Sequence, residues 1–331
     1  MTVGPRAVIF GCAGLRLTGA ERRLFALAQP WGAILFARNI ESPGQVLALT
    51  QELRATVGRD MPILIDQEGG RVQRLRPPHW RDWPPALEQC ARASSDAMRL
   101  RGQIIAAELR ALGIDVNCAP LADIARPETH AILRNRCYGT NLNEVVRNAR
   151  AMADGLLSGG VLPVLKHIPG HGRATLDSHL ALPVVDASHA ELLVTDFAAF
   201  AALADLPLGM TAHLVFRELD NQHPVTHSRH LVGLIRDEIG FGGLLMTDDI
   251  SMQALAGPLA TRAGLALAAG CDLVLHCNGD LSEMEELAEI CPPLDTAGVV
   301  RSTRALAMRA RPPEQDLAVL ERAYREMMGD A

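Results

Sequence analysis

The sequence predicts an α/β fold, a single (β/α)8 barrel over residues 1–331 with helices at its C-terminal end, on three observations. Eight short apolar runs recur along the chain, most are followed by an amphipathic helical stretch, and the runs are continuous rather than alternating in polarity. Strands of a parallel sheet are buried on both faces and so read as unbroken Val/Ile/Leu segments, and a repeat of about eight βα units closes into a barrel. A length of 331 residues allows two average domains but also one large barrel. No linker, low-complexity tract or charge block marks a second domain.

The expected strands are residues 7–10, 33–36, 62–66, 114–118, 162–167, 208–213, 243–248 and 272–277. The first turn, GCAGLRLTG, carries Gly11 and Gly14 but not the onward spacing of a dinucleotide fingerprint, which argues against an open doubly wound sheet. Helix starts are signalled by Ser42-Pro43, by Ser188 with Glu191 as a capping box, and by Ser228. Residues 296–311 and 313–327 read as two terminal helices.

A net charge of -6, a pI near 6.0 and the absence of a long run of one sign point away from nucleic acid and anionic membranes and toward a small-molecule substrate. Seven cysteines show no CxxC pair, and Cys118, Cys271 and Cys277 sit in or beside apolar runs as small hydrophobes. A reducing cytoplasm fits that usage. The run at 7–10 is too short for a signal-peptide core, and bulky Phe10 argues against Ile9-Phe10-Gly11-Cys12 as a lipoprotein box. No stretch approaches the roughly 20 apolar residues of a membrane span.

A barrel places its chemistry at the carboxyl ends of its strands. The residues expected there are Asp66 with Gln67 and Glu68, Asp123, Lys166 and His167, His213, and Asp248 with Asp249. Taken singly, Asp123 and His213 read as satisfied polar groups; the joint placement on one rim reads as a site. The segment 161–179, VLPVLKHIPGHGRATLDSH, leaves its strand through a Pro/Gly-rich loop and ends with Asp177 and His179 two residues apart. Lys166 is the only lysine in the chain, every other cation apart from histidine being arginine. A compact ammonium and a planar guanidinium fork fit different sites, so this lysine reads as chosen for shape.

Three chemistries could use this rim. His167, His171, His179, Asp248 and Asp249 could ligate a metal, but Pro169-Gly170 keeps the first two off one helical face and no standard ligand spacing appears. A non-catalytic sugar-binding protein needs no nucleophilic carboxylate opposite a titratable histidine. Glycosyl transfer needs one carboxylate at the sugar centre, a role suited to Asp248, and one group that trades a proton with the leaving oxygen and with water. His179, oriented by Asp177, suits the second role because histidine titrates near neutral pH.

The segment 166–179, KHIPGHGRATLDSH, followed by Leu182-Pro183, resembles the signature of glycoside hydrolase family 3 in its NagZ-type β-N-acetylglucosaminidase branch. IDQEGGRVQRL (65–75), GIDVNCAPLAD (113–123), RNRCYG (134–139) and GLLMTDDISM (243–252) are similar to further motifs of that family, in the expected order. The resemblance implies Asp248 as nucleophile of a covalent glycosyl-enzyme and His179 paired with Asp177 as acid/base. It implies Asp66, Arg74, Arg136, Lys166 and His167 as ligands of a terminal N-acetylglucosamine, the turn at Gly170–Gly172 as a hinge, and neither metal nor cofactor. Ile168 stands where an aromatic is common in the family, and Cys137-Tyr138 where Ser-Phe or Ala-Phe is usual; neither change removes a charge. The implied activity is a cytoplasmic, monomeric, retaining exo-β-N-acetylglucosaminidase acting on muropeptide fragments in cell-wall recycling. A phosphorolytic variant stays open.

Overall fold

The computed structural model describes residues 5–178, 181–309 and 316–329. Eight strands, β1 (Arg6–Gly11), β2 (Pro30–Leu35), β3 (Ile63–Ile65), β4 (Val116–Asn117), β5 (Leu162–Ile168), β6 (Leu208–Thr211), β7 (Leu244–Asp249) and β8 (Leu273–His276), form a closed barrel. Each pairs in parallel with its neighbour in sequence, and β8 closes on β1 with Phe10 beside His276. All eight expected runs overlap a barrel strand. The chain therefore has the predicted (β/α)8 architecture.

Alternation along each strand explains the continuous apolar runs. Ile9, Ile34, Leu64, Val116, Val164, Met210, Met246 and Leu275 fill the barrel interior. Their neighbours Val8, Phe10, Leu35, Ile63, Ile65 and Leu165 face outward into the helical layer. Burying both faces removes any reason for a polar residue until the strand ends. The N-terminal mouth is plugged by Trp31, whose Nε1 donates to Ser302 Oγ at 2.7 Å on the helix Thr296–Ala307. The last helix, Leu317–Met328, packs on Ser95–Ala111.

The helix starts behave as their chemistry requires. Ser42, Ser188 and Ser228 each accept a backbone N–H three residues on, and Pro43 occupies the first helical position. The full capping box expected at Ser188 is only half made. Glu191 turns away from the cap to pair with Arg173 at 2.6 Å, and a complete box is found instead at Thr18 with Glu21. The two shortest strands, β3 and β4, are cropped relative to expectation because side chains take over from the ladder. Asn117 Oδ1 accepts Gln67 N and its Nδ2 donates to Gln67 O, both at 3.0 Å.

Candidate active site

That Asn117 clamp sets the geometry of everything after β3. From Gln67 the chain folds into a short antiparallel hairpin, Gln67–Gly69 against Val72–Gln73, turned through Gly69 and Gly70 at φ 109° and 57°. Gln67 Oε1 then accepts the N–H groups of Arg74 and Leu75, each at 3.0 Å. Asp66, Glu68 and Arg74 are thus fixed by backbone before any of them meets a ligand.

Lys166, at the end of β5, is the hub of the cluster. Its buried Nζ lies 2.9 Å from Asp66 Oδ1 and 2.7 Å from Glu68 Oε1. Arg136 grips Glu68 with two parallel bonds of 2.8 Å, and Arg74 reaches Asp66 Oδ2 at 3.0 Å. Burial alone would raise the Asp66 and Glu68 pKa values, but Lys166 and Arg74 hold the Asp66 carboxyl well below the usual range, and Arg136 and Lys166 lower that of Glu68. Burial likewise works against the Lys166 cation, and the two carboxylates more than restore it. The chemistry offered is a fixed fan of charged donors and acceptors, suited to sugar hydroxyls.

Asp123 organises the other side of β5. Its Oδ2 takes His167 Nδ1 at 2.8 Å and its Oδ1 takes the backbone N–H of His171 at 2.6 Å. It is the satisfied polar group the sequence suggests, yet its partners belong to the site. His171 lies buried beside His167, among the described residues neither of its ring nitrogens has a hydrogen-bond partner, and burial together with His167 lowers its pKa to about 4. His213 is also satisfied, bonding Thr226 Oγ1 at 2.7 Å and the Asp249 carbonyl at 3.1 Å.

The two carboxylates at the end of β7 divide sharply. Asp249 spends itself on the backbone and hydroxyl of Ser251, at 3.0 and 2.7 Å, and on Cys277 N at 3.3 Å. Both residues line the cavity, and Asp248 accepts the Asp249 N–H at 2.8 Å. Burial opposes its charge, but His167 and His213 prevail and keep its pKa below the ordinary carboxylate value. The pair looks symmetrical in sequence; the fold makes one structural and leaves one for chemistry.

Asp66, Arg74, Arg136, Lys166, His167, Asp177 and Asp248 line one cavity of about 330 Å3. Ile34, Phe36, Ile132, Leu133, Met210 and Met252 supply its apolar walls. His179, the expected acid/base, lies outside the described residues. The turn expected as a hinge is tied down: Gly172 packs on the Ile124 backbone, its carbonyl accepts Thr129 Oγ1, and His130 N donates to Ala174 O at 3.0 Å. Glu68 was placed on the rim by sequence reasoning but given no role. Its spacing of two from Asp66 on an extended segment, which puts both carboxyls on one face, was the available signal.

Comparison with known proteins follows the same outline. Residues 17–300 match the glycosyl hydrolase family 3 N-terminal domain. The β-hexosaminidase of Methylococcus capsulatus is 37% identical over 310 residues, spanning 92% of this chain and 92% of that relative. The crystal structure of NagZ from Neisseria gonorrhoeae in complex with N-trifluoroacetyl-D-glucosamine superimposes with a TM-score of 0.87 at 30% identity, over 99% of this chain and 98% of that one. A family 3 β-N-acetylglucosaminidase from Paenibacillus sp. gives 0.86 at 28% identity, over 97% of this chain and 67% of that one.

Proposed function

This chain belongs to glycoside hydrolase family 3 and is a glycoside hydrolase of the β-hexosaminidase type, and from that premise we propose that it is a retaining exo-β-N-acetylglucosaminidase working through a covalent intermediate on Asp248. The observation that carries this reading is the division within the Asp248–Asp249 pair. A nucleophile must be ionised, positioned and free to bond carbon; both residues line the cavity, but Asp248 is held ionised whereas both carboxylate oxygens of Asp249 are taken by Ser251 and Cys277.

In the proposed cycle the Asp248 carboxylate bonds the anomeric carbon as the bond to the leaving oxygen breaks, and His179 delivers a proton to that oxygen. His179 then removes a proton from water as the water oxygen replaces Asp248, returning both groups to their starting states. Asp177, at the cavity wall, orients His179. Lys166, Asp66, Arg74, Arg136 and His167 bind the terminal sugar. A cavity of about 330 Å3 lies at the small end of ligand sites and suits one terminal residue rather than a threaded chain.

The preferred substrate is a muropeptide fragment ending in N-acetylglucosamine, processed during cell-wall recycling, as the NagZ-type motifs imply. A cytoplasmic location is supported by seven free thiols, and among the described residues no helix is long and apolar enough to cross a membrane. The enzyme acts as a monomeric barrel unit. The test is hydrolysis of an aryl β-N-acetylglucosaminide followed by NMR, with and without phosphate. The β-anomer of free sugar should form first and at the same rate in both conditions. An α-anomer formed first, or a sugar 1-phosphate formed in its place, would overturn the proposal.

A further inference from the structure

We infer that Arg101 is a positioning residue for the sugar-binding side of this site, acting through Glu68; the inference rests on Lys166 and Arg136 being sugar ligands. Arg101 belongs to the helix Ser95–Ala111 outside the barrel and is fully buried. Its Nη2 donates to the carbonyl oxygen of Glu68, and its Nη1 donates to Gln89 Oε1 at 2.7 Å. The guanidinium lies over the Trp83 ring, 5.3 Å from the centroid. Gln89 is held in turn by Tyr324 Oη at 3.0 Å.

Among the described residues, no carboxylate forms an ion pair with Arg101. Burying a guanidinium without an anionic partner is costly, and an apolar side chain would fill the same space more cheaply. What an apolar residue lacks is the donor that holds the Glu68 carbonyl. The hairpin is shaped to receive it: Gly69 sits at φ 109°, and a Cβ there would run into the Arg101 guanidinium. The backbone of Glu68 is therefore gripped from one side, while its carboxylate on the other side holds Lys166 at 2.7 Å and Arg136 at 2.8 Å. Arg101 never reaches the cavity. It fixes the anchor that fixes the two cations.

The experiment is a steady-state double-mutant cycle on an aryl β-N-acetylglucosaminide, with thermal unfolding measured alongside. Arg101→Met should lower kcat/KM by about 30-fold, mostly by raising KM, and should add less than about threefold when Glu68→Gln is already present. A purely structural Arg101 would shrink the active fraction, lowering kcat with KM unchanged and multiplying with Glu68→Gln; either result overturns the inference. If Arg101→Met does not fold, Gln89→Met, which leaves Arg101 in place but removes one acceptor, carries the same cycle with an expected rise in KM of about threefold. Lys166→Met separates the two claims. Should it leave KM unchanged, the sugar-ligand reading falls and this inference with it; should it raise KM while Arg101→Met does not, the inference alone falls.

Discussion

The two ends of the barrel each carry buried carboxylates held by arginines, and they do different things. At the N-terminal end, Asp115 and Asp272 stand immediately before β4 and β8. Asp115 accepts Ile63 N at 2.8 Å and Arg54 Nη2 at 3.2 Å, and pairs with Arg309. Asp272 accepts Leu245 N and Arg236 Nη2, both at 2.8 Å, and pairs with Arg301. Each bonds the backbone of the preceding strand, with arginines closing it off from water. At the C-terminal end, Asp66 and Asp248 instead open onto a cavity, with buried Glu68 behind holding the central cation, the chain's single lysine. One end ties strands together; the other keeps charge available to a ligand.

The largest expected contrast is between Asp248 and Asp272. Asp248→Ala should lower kcat/KM by about 10^4-fold with little change in Tm, because a nucleophile is removed and, among the described residues, its side chain accepts one structural bond, the Asp249 N–H. Asp272→Ala should leave kcat of the folded enzyme unchanged but cost about 3 kcal/mol in denaturant unfolding, since two part-buried arginines lose their counter-ion. Activity loss from Asp272→Ala in folded protein would erase the distinction between the ends.

A smaller contrast comes from exchanging cation shapes. Lys166→Arg keeps the charge but forces a wide fork between Asp66 and Glu68, and should reduce kcat/KM by about 100-fold. Arg236→Lys at the base should change unfolding free energy by about 1 kcal/mol and kinetics not at all. Fully active Lys166→Arg enzyme would show that the lysine's shape is incidental.

Acid sensitivity should also belong to the site end. Burial lowers the His171 pKa to about 4 in the folded protein against an ordinary value of 6.5. As pH falls from about 6.5 toward 4, the unfolded chain gains a proton that the folded chain refuses, so stability falls in that window and is complete above it. Tm measured from pH 7 to 4.5 should drop less steeply in His171→Gln than in the parent; an unchanged slope would remove His171 from the account. The smallest expected effect is none: exhaustive chelation should leave turnover unchanged, and a loss restored by zinc would return the metal-hydrolase alternative.

The barrel was legible because eight doubly buried strands leave eight continuous apolar runs, and the rim was legible because polar residues reappear where burial stops. The two ends were not separable by composition, since an Asp opens the 272–277 run and an Asp ends the 62–66 run. Only the direction of the strand tells them apart. Glu68 was visible but mute, because its meaning depends on Lys166 and Arg136, which are distant in sequence. Arg101 was hidden in an ordinary helix, although it falls on the buried stripe of Ala97, Met98, Ile104 and Ile105, where a cation is out of place. Asp248 is favoured over Asp249 in the sequence by its place on the strand end and by resemblance, and the physical division between them is the set of bonds from Ser251 and Cys277.

Whether the open end cleaves glycosides through Asp248 can be read from rapid-quench mass spectrometry of His179→Ala with an activated aryl β-N-acetylglucosaminide. An activated phenolate leaves without a proton, while the second step still lacks the base that activates water, so the intermediate should accumulate. One N-acetylhexosaminyl adduct is expected on the peptide containing Asp248, and none when Asp248→Ala is added. An adduct on another residue, or slow turnover with no adduct and an active Asp248→Ala enzyme, would contradict it.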